Sequence, residues 1–206
     1  MFIQHYFYIC IMETKGLKSA RKKVEGFIEI TKNRHDFFAN QWYSQKNNLR
    51  YSFHLECVFN QADFLISLEE EKGNVFSDKE KELIVMGCFG HDLIEDTRIT
   101  YNEIKEKHGE DIADVIFGCT ESTGKNRDER HDDEFYKRLT TNKYSKYSVF
   151  VKLCDIRANF IFGLLENSGM IKNPIKEFPT FLEKTALFHQ HFPFAFADTN
   201  KLIFRI

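Results

Sequence analysis

Proline is missing from most of this chain and occurs only in its last third. The three prolines are Pro174, Pro179 and Pro193. Because proline removes a backbone donor and clashes with the preceding helical turn, its absence leaves about 170 residues free to form helices. Runs with the alternating pattern of β-strands are scarce. We therefore predict an all-α fold, a compact multi-helix bundle.

Apolar residues recur at helical spacing, and capping residues mark two helix starts. Ser77 with Glu80, and Thr100 with Glu103, have the spacing of capping boxes, in which two side chains satisfy each other's backbone N–H groups. Gly109 is expected to close the helix that begins at Thr100. Helices are expected at about 17–40, 54–71, from Ser77 into 90–97, from Thr100 to Gly109, and at 111–120, 130–139, 147–165 and 175–190, with a polar loop at 44–50.

The charge balance and the cysteines exclude several classes of protein. There are 29 basic and 31 acidic residues, a formal net charge of −2, which provides no global attraction to nucleic acid or to an anionic membrane. The five cysteines are odd in number and mostly lie in apolar stretches: Cys10, Cys57, Cys88, Cys119 and Cys154. This usage indicates reduced packing residues rather than a disulfide framework. We expect a cytoplasmic protein with no membrane partner.

The opening segment, residues 1–12, is apolar and aromatic but does not have the pattern of a targeting sequence. It lacks a basic start, contains His5 and has no small-residue cleavage site, so it makes a poor signal peptide. It is also too short to span a bilayer. An added strand, a contact with a partner and a natural start at Met12 remain as alternatives.

The segment 90–97, Gly-His-Asp-Leu-Ile-Glu-Asp-Thr, concentrates ionisable side chains beside an apolar stretch. It holds one imidazole, His91, and three carboxylates, Asp92, Glu95 and Asp96. At about 100° per residue on an α-helix, these four side chains fall within roughly 140° and share one face. Three neighbouring carboxylates repel one another unless a cation holds them, so the segment indicates a metal site.

A second ionisable position lies in the segment 150–162, which is apolar on nearly every side and is expected to be a central helix. Asp155 and Asn159, four residues apart, share one face of it. A buried carboxylate needs a cation or a strong donor, so Asp155 either binds metal or bonds to Arg157 or to a helix N-terminus. His54, which follows the polar loop, is either a ligand or an ordinary surface or capping residue.

Taken in order, His54, then His91 with Asp92, then Asp155 resembles the HD superfamily of metal-dependent phosphohydrolases. The segments Phe-Gly-His-Asp-Leu-Ile-Glu-Asp-Thr at 89–97 and Val-Lys-Leu-Cys-Asp at 151–155 are similar to the hydrolase domain of RelA/SpoT-type alarmone enzymes and to small alarmone hydrolases. The resemblance covers roughly residues 20–165. It implies an HD-domain helical bundle that removes pyrophosphate from the ribose 3′ position of guanosine tetra- or pentaphosphate (ppGpp or pppGpp).

By position, the resemblance also implies metal ligands, water-activating carboxylates and a nucleoside contact. The ligands are His54, His91, Asp92 and Asp155, the carboxylates are Glu95 and Asp96, and the nucleoside contact is Asn159. The family usually holds one Mn²⁺, and two imidazoles with two carboxylates suit that ion. Fe²⁺, Zn²⁺ or another divalent ion are alternatives. Glu95, one turn after His91, is the expected proton acceptor.

The resemblance is weaker at the residues that would hold the substrate. The family's loop reads Arg-Lys-x-Gly-x-Pro-Tyr, and the corresponding segment 45–51 keeps only Lys46 and Tyr51, which are the expected contacts there. The arginine that often lies two positions after the asparagine is replaced by Ile161. Loss of two cations weakens charge-assisted binding of a diphosphate.

A basic loop at 124–130 offers compensating contacts. Its cations Lys125, Arg127 and Arg130 are expected either to bind substrate phosphates or to form a solvated surface. A similar Gly-x-Asn-Arg-x-Glu-Arg segment characterises a branch of small HD proteins from bacteria and phages, which this chain resembles most.

We expect a single domain, since about 100–200 residues is the usual size of one. Residues 1–16 are an N-terminal extension, 17–170 the HD phosphohydrolase domain, and 171–206 a C-terminal segment packed on the same domain. That last segment is rich in phenylalanine and either caps the core or forms a homodimer contact; core packing is the expected use.

The preferred prediction is a metal-dependent phosphohydrolase with a small nucleotide substrate, in its specific form a ppGpp 3′-pyrophosphohydrolase. One rival is a phosphatase of another nucleotide, or of a pyrophosphate or nucleotide mark on RNA ends, acting as an antitoxin. The other rival is a catalytically weak HD fold that only binds a partner. A pure binder has no need of the full ligand set or of Glu95 and Asp96, so we favour the enzyme.

Overall fold

The computed structural model describes residues 16–166 and 169–204 of the 206-residue chain. Within them the protein is all-α, as predicted: helices account for most residues, and a two-stranded antiparallel hairpin is the only sheet. The predictions for residues 1–12 lie outside the described residues, as does nearly all of the extension predicted at 1–16. No helix in the described parts is both long and apolar enough to cross a membrane.

The elements follow one another with short connections. A π-helical turn, Arg34–Phe38, continues the second helix, and strands β1 (Trp42–Ser44) and β2 (Leu49–Arg50) form the hairpin. Short 3₁₀ helices lie at Gly169–Ile171 and Ala186–His191. The α-helices are α1 (Lys18–Lys23), α2 (Glu25–Asn33), α3 (Tyr51–Glu71), α4 (Asp78–Gly90), α5 (Leu93–Thr97), α6 (Tyr101–His108), α7 (Glu110–Cys119), α8 (Arg127–Arg130), α9 (Asp133–Thr141), α10 (Ser145–Leu165), α11 (Lys172–Lys184) and α12 (Pro193–Phe204).

Helix α10 runs through the centre of the bundle, as its apolar sequence predicts. It packs against α3, α4 and α7, and Val149, Leu153 and Phe160 along its length are completely buried. Burying a large apolar side chain contributes roughly 1.5–3 kcal/mol, so the helix is firmly held. Asp155 lies among these residues and is buried with them, so its charge must be met by neighbouring groups.

Both predicted capping boxes are formed. Ser77 accepts a hydrogen bond from the backbone of Glu80, whose carboxylate accepts one from the backbone of Ser77. Thr100 and Glu103 make the same reciprocal pair at the start of α6. Gly109 ends α6 with a φ of 97°, a conformation that strains any residue with a Cβ. These caps fix where α4 and α6 begin, and α4 leads directly to His91.

The helix predicted at 17–40 is not continuous. Val24, with φ −112° and ψ 20°, leaves helical geometry and separates α1 from α2. The π-helical turn that follows α2 is wider than an α-helical one and changes the phase of the side chains. Its residue His35 is completely buried, whereas Phe37 and Phe38 are exposed. Sequence periodicity alone assumes a constant phase and therefore missed both interruptions.

The segment 90–97 is also interrupted. Helix α4 ends at Gly90, Asp92 has a φ of −101° and a ψ of 5°, and α5 begins at Leu93. A Cβ on Gly90 would lie 2.5 Å from Ile116 Cδ1, so the glycine allows α4 to approach α7 closely. The continuous helix assumed for these four side chains is therefore not formed, and His91 and Asp92 lie side by side in the turn.

The predicted loop at 44–50 contains the turn and second strand of the hairpin. Asn48 has a φ of 54°, a left-handed conformation that asparagine tolerates better than most residues. In the C-terminal part, the helix predicted at 175–190 is α11, which ends at Lys184, followed by a 3₁₀ helix. The fully buried phenylalanines of that part join the hydrophobic core: Phe178, Phe181 and Phe192.

Candidate metal centre

Two histidines and one aspartate from different parts of the chain meet in the core. His54 lies in the first turn of α3, His91 in the turn after α4, and Asp155 in the middle of α10. All three are buried, and one potential ligand atom from each lies within 4.8 Å of the others. The packing of α10 against α3 and α4 thus brings together three of the four predicted ligands.

The distances from each histidine to Asp155 suit a single divalent ion. His54 Nε2 lies 3.2 Å, and His91 Nε2 3.8 Å, from the same oxygen, Asp155 Oδ1. With metal–ligand bonds of about 2.1 Å, ligand atoms about 3.0 Å apart subtend about 90°, and atoms about 3.8 Å apart about 130°. Both separations are therefore compatible with one ion between the three side chains.

The hydrogen bonds of His91 leave one ring nitrogen for a cation. Its Nδ1 is 2.9 Å from the carbonyl oxygen of Cys88, and because a carbonyl only accepts, Nδ1 carries the hydrogen. Nε2 faces two carboxylates, with Asp92 Oδ2 at 2.8 Å and Asp155 Oδ1 at 3.8 Å. Burial alone would lower the pKa of His91, but Asp92 and Asp155 outweigh it and raise the pKa to about 9. Either a proton or a metal ion satisfies this nitrogen.

Asp92, the fourth predicted ligand, lies against this group. Its Oδ2 is 2.8 Å from His91 Nε2, a separation that two donors on one ion also have, and accepts a hydrogen bond from the Tyr51 hydroxyl. Burial would raise the pKa of Asp92, but His91 outweighs it and lowers the pKa to about 2, so the carboxylate is ionised at neutral pH. Tyr51, expected on the substrate, is instead placed where it orients Asp92.

Asp155 is paired with a buried lysine that the sequence reasoning missed. Lys152 Nζ lies 3.1 Å from Asp155 Oδ2 and 3.0 Å from Glu121 Oε1. Burial alone would lower the pKa of Lys152, but Glu121 and Asp155 hold it well above its ordinary value. The alternative pairing of Asp155 with Arg157 is wrong, since Arg157 bonds to Gln61 and Asp198. A lysine three residues before a buried aspartate in an apolar helix was the available signal.

Asn159, the expected nucleoside contact, makes two hydrogen bonds within the protein. Its Nδ2 donates to Asp155 Oδ1 at 2.6 Å, and its Oδ1 accepts from the Tyr43 hydroxyl at 3.0 Å. The Tyr43 ring, on strand β1, stacks on His54 with ring centroids 4.7 Å apart. The hairpin thereby covers one side of the cluster. Tyr43 was not identified from the sequence because it lies between the helix predicted at 17–40 and the loop predicted at 44–50.

Glu95, the expected proton acceptor, lies on α5 at the edge of the cluster. One carboxylate oxygen accepts from the backbone N–H of Glu121 at 3.2 Å, and the other lies 3.4 Å from Arg130 Nη1. Burial raises the pKa of Glu95 to about 7, with further contributions from the charges of Asp92 and Glu121. A carboxylate that titrates near neutrality is suited to accept and return a proton.

Asp96 is held by a chain of polar groups from the hairpin and the π-helical turn. It accepts a hydrogen bond from the side chain of Gln41, whose Oε1 lies 2.6 Å from His35 Nδ1. Burial, followed by the charge of Asp92, raises the pKa of Asp96. His35 also stacks on Tyr51, so the same turn supports residues beside both Asp92 and Asp96. Sequence reasoning missed His35 because the π-helical turn changes the helical phase, and Gln41 because it lies beyond the helix predicted at 17–40.

The predicted phosphate-binding cations are placed differently from one another. Lys46 is exposed in the turn of the hairpin, and Lys125 is exposed before α8. Arg127 pairs with Glu177. Arg127 also lies 3.9 Å from Glu121 Oε1. Arg130 lies against the expected proton acceptor, since its Nη1 is 3.4 Å from Glu95 Oε1.

No family model matches this chain, and no curated protein matches it. The relation to the HD superfamily therefore stays a prediction from the motifs around His54, His91 and Asp155. The structure does establish a buried group of two imidazoles and one carboxylate that could bind a metal ion.

Proposed function

We propose that this protein is a metal-dependent phosphohydrolase of nucleotide substrates, with removal of the 3′-pyrophosphate of ppGpp as the preferred specific reaction. The observation that carries the proposal is the buried group His54, His91 and Asp155, beside a carboxylate, Glu95, whose pKa is raised to about 7. A metal site and an adjacent proton acceptor are the two parts that hydrolysis of a phosphate ester needs.

The residues present fit a divalent cation. His54, His91 and Asp155 would hold it, with Asp92 as a further donor. His91 Nε2, which faces the carboxylates of Asp92 and Asp155, is the ring nitrogen available to the ion. Nitrogen and oxygen donors in this proportion suit Mn²⁺, our choice, as well as Fe²⁺ or Zn²⁺. Such an ion supplies Lewis acidity that makes water nucleophilic near neutral pH and polarises a phosphoryl oxygen.

The side chains at the edge of the cluster would handle the proton and the phosphate. Glu95, ionised in a large fraction of molecules at neutral pH because its pKa is about 7, takes the proton of the attacking water on a carboxylate oxygen and returns it to the leaving group. Arg130, whose side chain is 35% exposed, offers its guanidinium to a substrate phosphate, for which a planar fork is well suited. Asp96 assists from the adjacent position on α5.

One observation favours a second candidate, a phosphatase acting on another nucleotide or on RNA ends. Asn159, the expected nucleoside contact, is bonded to Asp155 and Tyr43, and Lys46 is exposed in the hairpin turn. Recognition that depends mainly on Arg130 would select for phosphate rather than for guanosine. This candidate keeps the same metal site and the same proton acceptor.

Incubation with Mn²⁺ and a panel of substrates tests the proposal. The panel contains ppGpp, its adenosine counterpart, nucleoside triphosphates and pyrophosphorylated RNA, with released phosphate and pyrophosphate as the readout. E110Q, which removes an exposed carboxylate paired with Lys105, is the control for loss of one charge and is expected to match the parent. Pyrophosphate release from ppGpp supports the preferred form, release from another substrate alone supports the second, and no release from any substrate rejects both.

A further inference from the structure

A single buried carboxylate, Glu121, lies where several cations converge. Its side chain is only 7% exposed and follows directly after α7 and Thr120. Around it are Lys152 Nζ at 3.0 Å, His131 Nε2 at 2.7 Å and Arg130 Nη1 at 3.2 Å. Burial would raise the pKa of Glu121, but the charge of Lys152 above all, then the hydrogen bond with His131 and the charge of Arg127, hold it well below its ordinary value. Glu121 is therefore a permanent negative charge.

On one side, Glu121 reaches the metal ligand Asp155 through Lys152. The ammonium group bridges Glu121 Oε1 and Asp155 Oδ2. Because Oδ2 is taken by Lys152, the other oxygen, Oδ1, is the one presented to His54 and His91. Glu121 also pairs with the Lys152 ammonium group. Without Glu121, Lys152 would pair with Asp155 alone and would compete more strongly with a metal ion for the Asp155 carboxylate.

On the other side, the backbone of Glu121 holds one oxygen of Glu95, and Arg130, which pairs with the Glu121 side chain, lies near the other. The Glu121 backbone N–H donates to Glu95 Oε2 at 3.2 Å. Arg130 Nη1 lies 3.4 Å from Glu95 Oε1 and 3.2 Å from Glu121 Oε2, so the guanidinium bridges the two carboxylates. The charged groups that act on Glu95 are thus Glu121, Arg130, Lys152 and Asp92.

We propose that Glu121 is a positioning residue that keeps the metal ligand Asp155 and the proton acceptor Glu95 in a fixed relation to each other. The inference rests on the proposed function for the role of Glu95, but not for its effect on Asp155, which concerns metal binding alone. Residues that orient metal ligands without touching the metal typically change its affinity about 10–100-fold when they are replaced.

The first test is the affinity of the full chain for Mn²⁺, measured by titration calorimetry without substrate. E121Q removes the charge that shares Lys152 and is expected to weaken binding about 10–100-fold. The matched control is E69Q, because Glu69 is another buried carboxylate but accepts hydrogen bonds from Asn74 and from the backbone of Ala195; its replacement should leave the Mn²⁺ affinity unchanged. An E121Q protein that binds Mn²⁺ as tightly as the parent overturns the link to Asp155.

Folding of each variant is checked by circular dichroism. If E121Q does not fold, E121D takes its place, because it keeps the charge but shortens the side chain by one methylene and so loses reach to Lys152 or Arg130. The same 10–100-fold loss is expected, and unchanged affinity in E121D overturns the proposal just as directly.

The second test is the pH dependence of kcat. Damage to the fold would lower kcat at every pH but would not shift the acid limb of the profile to lower pH in one variant and to higher pH in another. Loss of the Glu121 charge favours ionised Glu95, so the acid limb should move to lower pH in E121Q. Loss of the Arg130 cation in R130Q should move it to higher pH, with Mn²⁺ affinity unchanged because Arg130 does not contact Asp155. If the acid limbs of E121Q and R130Q stay at the parental pH, or both shift in the same direction, the link to Glu95 is overturned. Should the parent turn over no nucleotide, the proposed function fails while the Mn²⁺ titration still decides the role of Glu121.

Discussion

Binding of a divalent ion should release a proton from His91, and the electrostatics of the site indicate how many protons are released per ion. Without an ion, the carboxylates of Asp92 and Asp155 overcome the effect of burial and raise the pKa of His91 to about 9. At pH 7 the ring is then about 99% protonated. A metal ion needs the lone pair on Nε2, so binding at pH 7 should release about one proton per ion. The apparent affinity should rise about tenfold from pH 7 to pH 8 for the same reason.

Titration calorimetry in two buffers of different ionisation enthalpy measures this proton. The E95Q protein is the suitable background, because Glu95 itself titrates near pH 7 and would add a fractional proton. We expect the binding enthalpy to differ between buffers by about one buffer ionisation enthalpy. Identical enthalpies in the two buffers, or equal affinities at pH 7 and pH 8, would refute the view that the ion replaces the proton on His91.

Three other predictions concern single side chains. In the ion-free protein, the contribution of His91 to the free energy of unfolding should be greatest below pH 6.5 and should fall by up to about 3 kcal/mol as the pH rises to 9. Between these pH values His91 is protonated in the folded state and largely neutral in the unfolded state. Thermal unfolding of the parent and of H91Q checks this, and the same fall in H91Q would contradict it. E95Q should retain Mn²⁺ but turn over substrate about 10²-fold more slowly or worse, without the acid limb near pH 7; steady-state kinetics decide, and a parental rate would remove the acid–base role. Y51F should bind Mn²⁺ about 10–100-fold more weakly because Asp92 loses its donor, and unchanged affinity in the titration would show that Tyr51 does not orient Asp92.

The sequence predicted where helices form better than it predicted where they are interrupted. The capping boxes at Ser77 and Thr100 and the central helix around Asp155 are confirmed, because each depends on residues within a few positions of one another. The interruptions at Val24 and at Asp92 are not marked by a helix-breaking proline in the sequence. The close approach of Gly90 to α7 involves residues distant in the chain.

The same distinction applies to the site. His54, His91 and Asp155 could be named from type, order and spacing, and the structure brings them together. Glu121 and Lys152 are 31 positions apart, so only the fold shows that they meet. The Asn47–Asn48 pair at the hairpin turn was a local signal for Tyr43 on β1, since asparagine is favoured where φ is positive.

The most direct test of the central claim compares the parent with D155A for Mn²⁺-dependent release of pyrophosphate from ppGpp. D198A is the control, because Asp198 is another carboxylate paired with a buried residue of α10, Arg157, but lies outside the metal group. We expect release by the parent and by D198A, and neither Mn²⁺ binding nor release by D155A, whose circular dichroism should remain helical. Undiminished turnover by a folded D155A protein would contradict the assignment of the metal centre.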